Sequence, residues 1–175
     1  MASADFAGPR VTFREWTPDL LPAFMAIATH PLVVETLRDD EQPTAEAIEQ
    51  SLDLWRTTTP RNRYEFAIMV GGQAVGTCGL ARVGIPGRHA QLGYALHPDH
   101  WGRGLATEAA ALLLDFGFGE LGLHRIEADT VGLPASDRVL EKIGMRREGV
   151  SRRSAWVRGA WHDQNNFAVL AGDAR

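Results

Sequence analysis

The sequence predicts an α/β domain built on a central mixed, mostly antiparallel seven-stranded sheet with helices on both faces. Three observations predict it. Short alternating apolar runs separated by turn residues recur along the chain. A strand, long helix, strand succession occupies residues 89–130. The 175 residues are 45% apolar and 23% charged, enough for one domain with a proper core.

Val11–Trp16 alternates apolar and polar as a half-buried strand does, and Thr17-Pro18 then offers an N-cap followed by proline at the first helical position. Leu20, Leu21, Phe24 and Ile27 fall at helical spacing within Asp19–Thr29, and a second helix is expected over Thr44–Trp55. Tyr64–Val70 and Gln73–Ala81 flank Gly71-Gly72, a two-residue hairpin turn. A third strand covers His89–Leu96. The stripe Leu105, Ala109, Leu112, Leu113 and Phe116, widened by Leu114, Phe118 and Leu121, marks a helix over 104–121 buried on more than one side. Arg125–Thr130 reads as a strand, Ser136–Ile143 as a helix stopped by Gly144, and two last strands flank Arg158-Gly159. The order is thus strand, two helices, three strands, helix, strand, helix, two strands, in a single domain spanning residues 1–175.

No apolar run approaches the roughly 20 residues that span a bilayer. Met1–Pro9 lacks the basic start and apolar stretch of a secretory leader, and Cys78 is the lone cysteine, so a reducing cytoplasm is expected. A formal charge of −4 gives no general reason to bind nucleic acid. Arg146, Arg147, Arg152 and Arg153 form a basic cluster that reads as a solvated edge. No membrane or nucleic-acid partner is expected, while exposed strand edges leave room for a homodimer.

The stretch Trp101-Gly102-Arg103-Gly104-Leu105-Ala106 opens the long helix. A helix N-terminus carries unpartnered N–H groups and about half a positive charge, which suits phosphate. Gly102 and Gly104 lack the Cβ that would screen those donors, and Arg103 adds a cation. Upstream, Leu92, Tyr94 and Leu96 share one face of their strand while Gly93 and Ala95 leave the other bare, as an extended ligand requires. A Rossmann site fits poorly, because Thr107 stands where the third glycine belongs; a Walker A loop fails, since no Gly-Lys-Ser/Thr follows. The His97-Pro98-Asp99-His100 and His162-Asp163 groups carry ligand-type residues, but the first lies where the phosphate loop begins, and no metal is assigned.

His97–Thr130 followed by Ala135–Arg153 resembles the GNAT superfamily of acyl-CoA-dependent N-acetyltransferases, in particular its RimJ/RimL type, which acetylates ribosomal-protein N-termini. Trp101–Ala106 matches the diphosphate loop of that type; His124–Ala128, Leu140–Met145 and Trp161-His162-Asp163 match further landmarks. The resemblance implies acetyl-CoA as co-substrate, with pantetheine along Ala95, Leu96 and His97, diphosphate on Trp101, Gly102, Arg103, Gly104, Leu105, Ala106 and Thr107, and further contacts from Leu133 and Ser136. It also implies that a backbone N–H near Leu96 or His97 polarises the acetyl carbonyl, a donor worth about 3 kcal/mol of barrier.

The chain departs from the superfamily where Leu133-Pro134 replaces the usual Asn region and Val139-Leu140 the usual Tyr. Ser136 is then the candidate thiolate donor or, alternatively, a helix cap. Glu127 is the candidate base, through a water, or a partner for Arg125 or Arg147. Trp55, Trp156 and Trp161 either line an acceptor slot or pack in the interior. Making an α-amine of pKa about 8 neutral at pH 7 costs roughly 1.4 kcal/mol, against roughly 4.6 for lysine. A modest base therefore suits direct attack by an N-terminal α-amine in a ternary complex. A small amine such as an antibiotic or polyamine, or a non-catalytic CoA-binding role, are the alternatives.

Overall fold

The computed structural model describes residues 6–36, 44–84, 88–157 and 159–173. Met1 to Asp5, residues 37–43, 85–87 and 174–175, and Arg158 of the last turn lie outside them. The elements run β1 (Thr12–Glu15), α1 (Leu21–Ala28), α2 (Pro31–Val34), α3 (Ala45–Thr57), β2 (Arg63–Val70), β3 (Gln73–Arg82), β4 (His89–Leu96), α4 (Leu105–Gly119), β5 (Arg125–Thr130), α5 (Pro134–Lys142), β6 (Arg146–Val157) and β7 (Ala160–Leu170), with 3-10 turns at Pro18–Leu20 and Pro98–His100.

The expected order holds with one addition. The helix expected over Asp19–Thr29 begins with the 3-10 turn and becomes α-helical only at Leu21, and the extra single-turn α2 follows it. Its start is local: His30 Nδ1 accepts from Leu32 N–H at 3.2 Å, and Pro31 takes the first position, where no N–H is needed.

The seven strands form one sheet in the order β1-β2-β3-β4-β5-β7-β6, antiparallel throughout except for β4 against β5. Even-numbered residues of β2, β3 and β4 (Phe66, Ile68, Cys78, Leu80, Ala90, Leu92) are buried with Leu105, Ala109, Leu113, Leu114 and Phe116 of α4. A smaller cluster on the opposite face gathers Trp16, Ile27, Ala67 and Met69, with Phe24 and Leu52 against it, and seats α1 and α3. The period-2 alternation of the strands thus sorts the two layers. At Gly117 a Cβ would fall 2.6 Å from Ile126 Cδ1, so α4 lies close on β5. No helix among the described residues is long and apolar enough to cross a membrane.

Candidate active site

The parallel pairing of β4 and β5 covers three positions, His89–Arg125, Ala90–Ile126 and Gln91–Glu127, and then stops. Beyond Gln91 the strands part. The side of β4 facing the gap follows from hydrogen-bond alternation. His97 N–H donates to the Val75 carbonyl of β3 at 2.8 Å, so the flanking position, Leu96, and in turn Tyr94 and Leu92, aim their peptide groups away from β3 and into the gap. The Leu96 carbonyl is taken by Trp101 Nε1–H at 2.8 Å. Of the two expected backbone donors, His97 is therefore committed elsewhere, and the Leu96 N–H faces the opening.

The gap widens into a cavity of about 520 Å³. Its walls are β4 from Leu92 to Leu96, β5 from Ala128 to Thr130, the loop and first turn of α4, the first turns of α5, and Val33 and Thr36 from the α2 side. Lining from α4, α5 and α2 together means that the opening communicates with both faces of the sheet. Gly93, in the middle of a central strand, is exposed, with nothing within 4 Å of where a Cβ would stand.

At the α4 end, Gly102 and Gly104 adopt φ +72° and +76°, which L side chains rarely tolerate. A Cβ on Gly102 would meet nothing within 4 Å, and one on Gly104 only Arg10 Nη2, at 3.5 Å. No side chain caps α4. Its first-turn N–H groups thus point outward with no intrahelical partner, and Arg138 and Lys142 of α5 bring cations to the same cavity. Bare donors, positive ends and an extended strand edge fit a long diphosphate-bearing thioester.

Of the residues expected to hold that ligand, Ala95, Leu96, Trp101, Gly102, Gly104, Leu105, Ala106, Thr107, Leu133 and Ser136 line the cavity. The His97 and Arg103 side chains do not. His97 turns its ring to His30, at 5.0 Å between centroids, and Arg103 is exposed. Ser136 stands in the first turn of α5, but Leu133 is the N-cap and makes no side-chain cap, so Ser136 is not the helix cap. Asp137 holds that turn in place. It accepts from Thr130 Oγ1, the one buried polar residue of β5, and from Asn165 Nδ2 at 3.0 Å.

Glu127 does not reach the cavity. Its Oε2 lies 2.9 Å from His89 Nε2 and 3.7 Å from Arg125 Nε, at the last paired position of the β4–β5 join. Two residues on, Asp129 shares its face of β5 and does line the cavity, where it accepts from Gln91 Nε2. Tyr94 is the other group that sequence reading did not assign. Its hydroxyl is directed at the Ser136 carbonyl at 3.5 Å, and burial, with the charge of Asp137 acting the same way, lifts its phenol above the usual 10. The alternation of β4 had placed it beside Leu92 and Leu96.

The tryptophans take neither expected role. Trp156 and Trp161 are 48% and 57% exposed, pair with each other at 5.2 Å between centroids, and stand outside the cavity; Trp55 lies half-buried with the Arg63 guanidinium 4.2 Å over its ring. The arginine cluster is exposed along the edge strand β6, where Arg147 bonds Asn165 Oδ1 instead of Glu127. Among the described residues no three His, Cys, Asp or Glu side chains converge as metal ligands do.

Comparison with known proteins agrees with this geometry. The acetyltransferase (GNAT) domain family matches residues 10–146. The probable N-acetyltransferase YjcK of Bacillus subtilis is 34% identical over 143 residues, 78% of each chain. Spermidine N(1)-acetyltransferase of Escherichia coli is 26% identical over 133 residues, 74% of this chain and 70% of that one. The structure of Mycobacterium smegmatis RimJ in complex with a CoA-disulfide superposes with a TM-score of 0.82 at 26% identity, covering 92% of this chain and 82% of that one. With the family match over most of its length and the loop, strand edge and splayed cleft in place, the chain belongs to the GNAT family of acetyl-CoA-dependent N-acetyltransferases.

Proposed function

We propose that the protein acetylates the α-amine of a peptide or protein N-terminus, by direct attack of the amine on the thioester in a ternary complex. The observation that carries this reading is the single carboxylate on the cavity wall, apart from the cations Arg138 and Lys142 that face the diphosphate end. Among the described lining residues Asp129 is the only carboxylate. One carboxylate suits one ammonium, and an α-amine needs little help to lose its proton at neutral pH.

In this scheme Asp129, steadied by the Gln91 amide, accepts the proton of the amine directly or through a water. Glu127 serves one step back, its charge shared with His89 and Arg125. The Leu96 N–H polarises the acetyl carbonyl, and the hydroxyls of Ser136 and Tyr94 stand where a departing thiolate takes up a proton. Tyr94 is protonated at neutral pH and lies within the cavity wall, although burial, by lifting its phenol, makes it a weaker acid than an ordinary tyrosine.

A polyamine is the second reading. The spermidine enzyme is among the relatives, and Asp129 lies in the cavity where an ammonium group of either acceptor would sit. An acceptor screen that reads released CoA thiol separates them. Free N-terminal peptides should turn over, N-blocked peptides should not, and spermidine should be slower than the free peptides. Preference for spermidine or a lysine side chain overturns the α-amine. Binding of CoA with no turnover on any amine leaves a non-catalytic role.

A further inference from the structure

The lead into β1 folds onto the start of α4, nearly a hundred residues away. Gly8 N–H donates to the Val11 carbonyl at 2.7 Å and closes a tight turn over Pro9 and Arg10. The turn directs its next N–H groups at one side chain: Arg10 N–H and Val11 N–H both donate to Glu108 Oε1, at 2.7 and 2.9 Å, and Arg10 Nε donates to Oε2 at 2.8 Å. Arg10 Nη1 goes on to the Arg103 carbonyl at 2.8 Å, inside the glycine loop. A side chain at position 8 would push Glu108 aside, since a Cβ there would fall 2.9 Å from Glu108 Oε1.

We propose that Arg10 and Glu108 form a clasp that sets the diphosphate loop, with Arg10 a positioning residue for CoA binding; this rests on the assignment of residues 102–107 as the diphosphate site. Arg10 is not part of the cavity wall, so it acts through the loop. Two physical arguments support it. A side-chain cap at position 104 would occupy the N–H donors that the diphosphate needs. Arg10 instead grips the loop by a carbonyl, that of Arg103, and leaves every donor free. Second, Glu108 sits in the first turn of α4, where a carboxylate favours the helix but repels an incoming diphosphate well within the roughly 10 Å screening length. The Arg10 guanidinium neutralises it. Although burial opposes ionisation, the Arg10 and Val11 N–H groups and the guanidinium hold the Glu108 carboxyl below its usual 4.5, so the charge is present and needs a partner.

The test is calorimetric titration of CoA into the wild-type protein, Arg10→Ala, Arg10→Lys, Glu108→Gln and the Arg10→Ala/Glu108→Gln pair, with melting temperatures and acetyl-CoA kinetics alongside. Arg10→Ala should weaken CoA about tenfold, on the scale of one charged hydrogen bond, and raise KM for acetyl-CoA more than it lowers kcat. Arg10→Lys should recover part of the loss. Removing the Glu108 charge from Arg10→Ala should also recover part of it, an outcome that a merely structural role for Arg10 does not produce. CoA binding by Arg10→Ala equal to wild type, whatever its melting temperature, overturns the clasp, as does a double variant weaker than Arg10→Ala alone. Absence of heat with the wild-type protein removes the diphosphate assignment itself, and the clasp with it.

Discussion

Helices α3 and α4 have thirteen and fifteen residues and begin in opposite ways. Thr44, in extended backbone, accepts the Ala47 N–H on its hydroxyl at 3.2 Å, and α3 continues as an amphipathic helix with Ile48 its buried residue. Gly104, at φ +76°, offers α4 no side chain at all. A cap of the Thr44 kind is worth about 1 kcal/mol, which α4 forgoes. It can do so because seven of its residues, from Leu105 to Gly117, are buried against the sheet, where a single leucine contributes about 2–5 kcal/mol. A helix start that serves only the fold is closed by its own side chain; one that serves a ligand is left open and held from elsewhere.

The sharpest way to break this contrast is to give α4 a side chain at its mouth. Gly104→Val forces a β-branched residue into left-handed backbone, a strain of about 1–3 kcal/mol, and shields the donors; CoA affinity should fall roughly 100-fold while Thr44→Val leaves it unchanged. Calorimetry reads both. Next in size is Trp101→Phe, which keeps an aromatic ring, though a smaller one, and removes the bond from Nε1 to the Leu96 carbonyl. Its loss should lower kcat about five- to tenfold, through the aim of the Leu96 N–H, with a smaller change in KM for acetyl-CoA. Thr44→Ala should cost about 1 kcal/mol in urea unfolding and leave turnover as it is. The smallest effect concerns pH. Because the folded Glu108 carboxyl lies below 4.5, its stabilising contribution is complete above that pH and is lost as pH falls through the folded value. Glu108→Gln should therefore lower stability at neutral pH and flatten the curve below pH 4.5, where variant and wild type converge.

Much of α4 was legible in the chain because its requirements are local. Bare backbone at 102 and 104 needs glycine, and a helix buried on several sides needs apolar residues all round, so both signals sit within twenty residues. The strands were equally readable from alternation, and the Gly71-Gly72 turn from its own residues. The carboxylate at the site was not. Glu127 and Asp129 share one face at a spacing of two, and the choice between them depends on where β4 and β5 stop pairing, which is a property of two segments separated by α4. Tyr94 shows the same limit: alternation gives its face, but its approach to Ser136 depends on how α5 docks through Asp137. The contact of Arg10 with Glu108 spans 98 positions and leaves no periodic trace. Single-turn α2, with Val33 and Val34 in four residues, is too short to show a helical period, although His30-Pro31 carries its start signal. What escapes the sequence is therefore the set of non-local meetings, and these decide the chemistry more than the fold.

The open helix start is tested most directly by titrating CoA into 15N-labelled protein and following backbone amide resonances. Gly102 to Thr107 should shift strongly and saturate together as diphosphate accepts from their N–H groups, while Ala45 to Ala47 at the capped start of α3 remain in place. Saturation by CoA with the Gly102–Thr107 amides unmoved would contradict the account.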